Sequence, residues 1–521
     1  MQLVYFDTDQ IKKYIFGAPQ LKEIRGASAL LDDLNRNKTK EIVEKVAGTA
    51  GEMVYAGGGS ALAKVKTELQ AEELVKQVEK LYRDETSAAS ITAAYITLPE
   101  QQETGDFKKT MQQLIRKVRT QKDAKGFINP GIPHGLVQFC QSCASFPAEY
   151  IDSTPLGSNS RTEDELCLSC RIKRNYSFQM RGMQRVSGFM AEFANQKGLP
   201  AEWDRAFIAQ RQPEDLDEIG KVSRGSNKIA MIYCDGNRMG LKIREIASLE
   251  EYQRFAEKVD TAIRQAAYQT LMEELPPRKL PDSDREVFPF EVIMIGGDDL
   301  VIVTAADKAL EVAQKVSARF SEYTEKSYGQ RLTLSAGIVW AQSHYPIYLM
   351  LESAEALLKS AKKVVLRESS KEQAGIDFME LTGNSDTDIE NSRAVNLKYN
   401  VLEEEFILTK RPYTFVEIDR LVKLITNLKT SHFPKNKLES LYRSLYAGKN
   451  QARYTAAMTL SRTSEDARNA LDQFFRETGA STPPPWSSPR NLKNTYISNL
   501  PDLIELYPYI VLESGGDHHD G

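Results

Sequence analysis

Along the chain, short apolar runs rich in β-branched residues alternate with longer segments whose apolar positions recur at helical spacing. Leu3-Val4-Tyr5-Phe6 is a strand that ends in Asp7. A basic amphipathic helix over 10–16 and a second over 21–34 follow it. Val54-Tyr55-Ala56 then runs into the turn Gly57-Gly58-Gly59-Ser60. The pattern predicts a Lys/Glu-rich helix over 62–83, a strand over 88–98 and a basic helix around 107–120. From residue 221 the same order returns. Ile229 to Cys234 is a strand ending in Asp235, a helix is predicted over 249–274, and a Pro-rich loop covers 276–289. Two apolar runs, Phe290–Ile295 and Leu300–Val303, then flank Gly296-Gly297-Asp298-Asp299. Runs this short around glycines read as buried strands joined by a tight hairpin. A helix over 306–325, a strand over 332–339 and a helix over 347–363 complete the second half.

Laid side by side, the halves match in their punctuation. Asp7 falls on Asp235, Gly57-Gly58-Gly59-Ser60 falls on Gly296-Gly297-Asp298-Asp299, and 91–94 fall near 333–336. This pattern predicts an internal duplication of a whole α/β domain. The first copy has lost both turn carboxylates, to Gly59 and Ser60, which suggests one catalytic and one binding half.

Between the copies lie Cys140-Gln141-Ser142-Cys143 and Cys167-Leu168-Ser169-Cys170. Two such pairs fit a tetrahedral four-thiolate zinc site, structural because it leaves no open position for substrate. The rest of 131–220 reads as helices. The C-terminal region is predicted to be helical over 397–409, 415–429, 435–447, 450–460, 464–477 and 490–506, with a Pro-rich break at 481–486. The expected domains are 1–130, 131–220, 221–385 and 386–521. The tail carries His518-His519-Asp520, read as a frayed polar end rather than a metal site.

Composition narrows the function classes. The 521 residues are 41% hydrophobic and 27% charged, as in ordinary globular proteins. A net charge of −4 is no general attractor for nucleic acid. The basic stretches 108–125 and 171–185 lack interleaved aromatics and read as solvated helix faces. No apolar run is long enough to span a bilayer, and Met1–Asp7 has no signal-peptide pattern. A cytoplasmic protein with no membrane contact is expected. With 5 scattered histidines, paired His-Asp phosphohydrolase chemistry is set aside.

The chemistry lies in the second copy. Adjacent carboxylates on a tight turn repel one another unless a cation sits there. Two-metal nucleotidyl transfer needs carboxylates from neighbouring strands, and Asp235, Asp298 and Asp299 form such a set for Mg²⁺ or Mn²⁺. Gly236, Asn237 and Gly240 would let backbone approach a triphosphate, as would Gly296 and Gly297. Lys359 and Lys362, on the helix over 347–363, are candidates to neutralise its phosphates.

These residues carry a resemblance. Asp235 with Gly296-Gly297-Asp298-Asp299, followed by Leu334-Ser335-Ala336-Gly337-Ile338 and Ala354-Glu355-Ala356-Leu357-Leu358-Lys359-Ser360-Ala361-Lys362, is similar to the GGDEF/palm superfamily of nucleotide cyclases and polymerases. With Ile11–Phe16 and Leu21–Leu31 of the first copy, nearly the whole chain resembles the large CRISPR-polymerase subunit of type III (Csm/Cmr) effector complexes. The resemblance implies an α+β fold: two ferredoxin-like palm domains, the first degenerate, a zinc-binding helical insert and an all-helical C-terminal domain. It implies an enzyme of antiviral defence that joins ATP 3′–5′ into cyclic oligoadenylates inside an RNA-guided complex, with guide RNA, target RNA and other effector subunits as partners. Asp235, Asp298 and Asp299 would hold two divalent metals and Lys362 the donor triphosphate. Gly57, Gly58, Gly59 and Ser60 would lie beside the second ATP. The chain opens on the first palm, so the DNA-cutting activity of members with an N-terminal HD nuclease domain is not expected. A free-standing palm cyclase and a non-catalytic scaffold are the alternatives.

Overall fold

A computed structural model describes residues 1–48, 51–98, 106–125, 137–152, 163–181, 188–367, 373–383, 388–480, 484–488 and 494–512. The histidines of the tail lie outside these residues. The first palm comprises β1 (Gln2–Asp9), α1 (Ile11–Ile15), α2 (Leu21–Asp33), α3 (Thr39–Ala47), β2 (Glu52–Gly57), β3 (Ser60–Val65), α4 (Glu68–Thr86), β4 (Ser90–Thr97) and α5 (Asp106–Ala124). Its sheet has the order β2-β3-β1-β4, all antiparallel. The helix expected over 62–83 starts only at Glu68, where Thr67 and Gln70 form a capping box. Residues 60–65 are a strand instead: Ala61 to Val65 look helical by propensity, but pairing on both sides buries them.

The insert holds β5 (Tyr150–Asp152) paired with β6 (Asp164–Leu166), then α6 (Leu168–Arg181), α7 (Met190–Phe193), α8 (Arg205–Arg211) and α9 (Leu216–Lys221). The second palm follows with β7 (Lys228–Gly236), α10 (Met239–Glu245), α11 (Leu249–Glu274), the short hairpin β8 (Arg278–Lys279) and β9 (Glu286–Val287), β10 (Phe290–Gly296), β11 (Asp299–Ala305), α12 (Ala309–Tyr328), β12 (Leu334–Gln342), α13 (Ile347–Arg367) and β13 (Gly375–Glu380). Its sheet, β10-β11-β7-β12, repeats the order of the first, extended by β13 and by β16 (Tyr413–Thr414).

Register confirms the duplication. Asp7 pairs with Ser60 and Thr92; Asp235 pairs with Ser335, and its neighbour Cys234 with Leu300. The β-bulge between Met53 and Tyr55 recurs between Val292 and Met294, in each case just ahead of the glycine turn. Thr92 therefore corresponds to Ser335, one residue off the alignment read from sequence.

The C-terminal region adds α14 (Ile389–Asn396), β14 (Lys398–Val401), β15 (Glu404–Ile407), α15 (Phe415–Thr430), α16 (Lys435–Leu445), α17 (Lys449–Ser461), α18 (Glu465–Glu477), β17 (Thr495–Ile497) and α19 (Leu500–Leu506). It is mainly helical, as expected. The helix expected over 397–409 is instead the hairpin β14–β15, turned at Leu402 in the left-handed region (φ 55°). Of the helix expected over 490–506, residues 490–493 lie outside the described residues, 495–497 form β17 and only α19 is helical among the rest. Arg411 and Glu505 tie this region to β13 of the second palm: Arg411 Nη1 donates to the Phe378 carbonyl (2.8 Å), and Glu505 Oε1 accepts from the Glu380 amide (2.8 Å).

The alternation along each central strand sends residues to two cores. Leu3 and Val54 join Ile232 and Cys234 in one; Val4 and Phe6 join Met231 and Ile293 in the other. Each core contains residues of both palms. The packing is reciprocal: α2 of the first palm lies on β10 of the second, and α11 of the second lies on β2 of the first. Burial on this scale, with Ile232 and Ile293 almost fully enclosed, makes the pair one body.

Candidate functional site

The β10–β11 turn is closed by the pair Gly296–Asp299, and Gly297 adopts φ 63°, which favours glycine. Asp299 opens β11, next to β7, which delivers Asp235. Gly236 is required beside them: a Cβ there would stand 2.5 Å from Asp298 Oδ2. Burial, then the Asp235 charge, pushes the Asp299 carboxyl up to about 7. Asp298 is raised well above the usual carboxylate range by burial, Asp235 and Asp299. Tyr233 Oη donates to Asp299 Oδ1 (3.5 Å).

Two cations face this set. Lys362 of α13 pairs with Asp235 Oδ2 and donates to the Gly236 carbonyl (3.0 Å). Lys12, from the other palm, lies 4.8 Å from the centroid of the Tyr233 ring and 2.9 Å from Glu355 Oε2; its charge lowers the Asp299 pKa against the effect of burial. Carboxylates pushed toward the protonated form by burial and by one another's charge are donors short of positive charge. An all-oxygen set of this kind fits Mg²⁺ or Mn²⁺.

The sequence-derived phosphate candidates divide. Lys362 reaches the carboxylates. Lys359 projects into solvent and pairs along its own helix with Glu355 (3.2 Å). Asn237 is buried and committed to the fold: its Nδ2 donates to Thr333 Oγ1 (2.9 Å) and its Oδ1 accepts from Ser335 Oγ (2.9 Å). Gly240 borders open space, with no atom within 4 Å of a Cβ placed on it.

The carboxylate-free turn lies directly against the carboxylate turn. Gly58 and Gly59 have φ 59° and 80°, and a Cβ on Gly58 would lie 3.1 Å from the Gly296 carbonyl oxygen. Asp260 of α11 fastens the junction, accepting from the Gly297 amide (2.9 Å), Arg36 Nη2 of the first palm (2.8 Å) and Arg264 Nε (3.1 Å). In the first palm Lys122 pairs with Asp7 (2.9 Å), as Lys362 does with Asp235 in the second. The sequence reading missed Arg36, Asp260 and the placement of Lys12. The repeat alignment held a signal only for Lys12, at a position where the second copy has Gly240.

Cys140, Cys143, Cys167 and Cys170 bring their sulfurs within 4.8 Å of one another. Among the described residues no other group of at least three His, Cys, Asp or Glu side chains converges so tightly; the three aspartates stand more loosely. Hydrogen bonds within the cluster pull Cys140 and Cys143 below the ordinary thiol range and push Cys167 and Cys170 above it. Four thiol donors in this arrangement suit a metal such as zinc. The cluster is seated by buried Arg174, whose Nη2 donates to Glu23 Oε1 of α2 (2.6 Å) and whose Nη1 donates to Asp152 and Asp164 (both 2.8 Å). At Gly26 the helices α2 and α6 nearly touch: a Cβ would lie 1.8 Å from the Lys173 carbonyl oxygen.

Residues 228–371 match the family model of the Cas10/Cmr2 second palm domain. The chain is 26% identical over 254 residues to the CRISPR system Cmr subunit Cmr2 of Pyrococcus furiosus, covering 47% of this chain and 27% of the relative. It is 22% identical over 426 residues to the CRISPR system single-strand-specific deoxyribonuclease Cas10/Csm1 (subtype III-A) of Thermococcus onnurineus, covering 69% and 53%. The chain thus spans about half or less of the length of these relatives. Its fold is similar to that of a Csm1–Csm4 cassette solved in complex with cA4, with a TM-score of 0.54 at 17% identity, over 88% of this chain and 64% of that one.

Proposed function

We propose that this chain, which belongs to the Cas10/Cmr2 family of large type III CRISPR subunits, is a nucleotidyltransferase that joins ATP 3′–5′ into cyclic oligoadenylates. The observation that carries the reading is the contact between the two turns. A carboxylate-bearing turn faces a carboxylate-free copy of itself, so a nucleotide held by one palm would meet a nucleotide held by the other at the junction. Holding both reactants there turns an encounter in solution into a step within one complex.

Asp235, Asp298 and Asp299 would hold two divalent ions, whose contribution is to stabilise the attacking and leaving oxygens together. Lys362 would orient the triphosphate of the donor ATP. Gly57, Gly58, Gly59 and Ser60 would border the acceptor ATP. Its 3′-oxygen forms a bond to the donor α-phosphorus, the bond from that phosphorus to the bridging oxygen breaks, pyrophosphate leaves, and the 3′-hydroxyl proton passes to solvent. Closing the ring repeats the same exchange on the growing chain. The four cysteines would hold a structural zinc.

A related Csm1 is found with Csm4 and with cA4, which supports placing this chain in an RNA-guided assembly with other effector subunits, guide RNA and target RNA. Mass spectrometry of products from ATP and GTP with Mg²⁺ or Mn²⁺ tests the reading. Cyclic oligoadenylates from the complex with target RNA are expected. Products of another kind from the protein alone would point to a free-standing cyclase, and no product under any condition would leave a scaffold.

A further inference from the structure

We propose that Lys12, carried by the carboxylate-free palm, is a phosphate-binding residue of the other palm's nucleotide site, approaching the triphosphate from across the junction. The inference rests on the nucleotidyltransferase reading and names a residue of that same site.

The position of Lys12 follows from what the first palm has lost. After β1 the chain turns at Gln10, in the left-handed region (φ 48°), into the single helical turn α1. The second palm turns in the same way at Arg238 (φ 59°) into α10. Gly59 stands where the second palm has Asp298, and a Cβ on Gly59 would lie 2.0 Å from Ile11 Cδ1. Deleting the carboxylate therefore allows Ile11 to settle onto the turn, and the next residue, Lys12, is directed over Tyr233, the ring whose hydroxyl meets Asp299. By register the counterpart of Lys12 in the second palm is Gly240, which borders open space. The cation is thus supplied in one direction, toward the palm that keeps its carboxylates.

Lys12 is also free to change partners. Its present ion pair with Glu355 leaves the two side chains 35% and 32% exposed. A pair this open stabilises the fold little. A charge-assisted bond to phosphate is roughly twice as strong as a neutral one, and the flexible lysine stem lets the ammonium change partners with the backbone in place. A purely structural role would make Lys12 and Glu355 equivalent, two halves of one bridge between the palms, and this sets the test.

Binding of the non-hydrolysable analogue AMPPNP with Mn²⁺ is measured on the full chain for the parent, K12A, K12R and E355Q, with thermal melts to confirm folding. K12A is expected to weaken binding about tenfold, K12R to recover most of it, and E355Q to bind at least as tightly as the parent because it releases Lys12. In turnover assays K12A should raise KM more than it lowers kcat. Equal weakening in K12A and E355Q would reduce Lys12 to a structural bridge, and parent-like binding by K12A would overturn the inference while leaving the wider reading intact. A parent protein that binds no AMPPNP would overturn both.

Discussion

A Cβ on Gly296 would stand 2.7 Å from the amide nitrogen of Gly58, closer than side-chain carbons come to backbone atoms. Two turns, one from each palm, therefore meet backbone to backbone. Gly296 lies within β10 rather than in the left-handed region, so alanine fits its own backbone and the conflict is wholly with the other palm. The expected result for Gly296→Ala is a small loss of stability, about 1–3 kcal/mol from overpacking, and a loss of turnover of roughly 100-fold, because displacement by about 1 Å costs that much when two reactants must be aligned. Product formation alongside a thermal melt separates the two effects. Full activity in this variant would mean that the junction does not set the reacting distance.

The carboxylates make stability depend on pH. In the folded chain Asp299 titrates near 7 and Asp298 is raised as well, whereas in the unfolded chain both have ordinary carboxylate values. Between about 4 and about 7 the folded state thus binds more protons than the unfolded one. Stability without metal falls as pH rises through that window, and the Asp299 contribution to the loss is complete above about 7. A divalent cation favours the ionised form and should restore it. Mn²⁺ is expected to raise Tm more at pH 8 than at pH 5, and Asp298→Ala with Asp299→Ala should abolish both this difference and nucleotide turnover. An unchanged Mn²⁺ effect in the double variant would detach the metal from these carboxylates.

The duplication and the carboxylate turn were legible because both are written in local punctuation: a strand ending in aspartate, then glycines at a hairpin. The palms repeat even the bulge ahead of the turn, but a bulge has no sequence signature and appears only in the register. Residues 62–65 read as the start of a helix because alanine and lysine carry no strand signal, and pairing with β1 and β2 overrides propensity. Lys359 and Lys362 looked interchangeable in sequence. They are neighbours one turn apart on α13, yet only Lys362 meets Asp235, while Lys359 stays in solvent beside Glu355. Lys12 and Arg36 act across the palms, where no spacing rule applies.

The cysteine cluster should behave as a structural clamp rather than as part of the reaction. About one zinc per chain is expected, since four thiolates close the coordination sphere. Cys140→Ala with Cys143→Ala should lose that zinc and lower Tm, because the cluster orders the start of α6, where Arg174 is buried against Glu23. Metal analysis and limited proteolysis check this: cleavage within 137–181 should accelerate while the palms resist. Stoichiometric zinc in the double variant would place the metal elsewhere.

The palms are also tied by the buried pair of Arg25 on α2 and Glu291 on β10. Arg25 Nε and Nη2 donate to the two carboxylate oxygens at 2.9 and 2.6 Å, with side chains 1% and 0% exposed. Farther along the same helix, Ser28 donates to the Ile293 carbonyl, the group that the bulge leaves out of the sheet ladder just ahead of Gly296. The pair therefore helps to set the height of the carboxylate turn against its neighbour. Arg25→Met leaves Glu291 buried without a counter-charge and should cost about 3–5 kcal/mol, whereas Arg25→Met with Glu291→Met should recover most of it, since a packed apolar pair replaces a desolvated ionic one. If the pair also positions the turn, the double variant regains its melting temperature but not its full turnover. Recovery of both would make the pair a matter of stability alone. Equal stability loss in the single and double variants would show that the cost lies in packing and not in the unpaired charge.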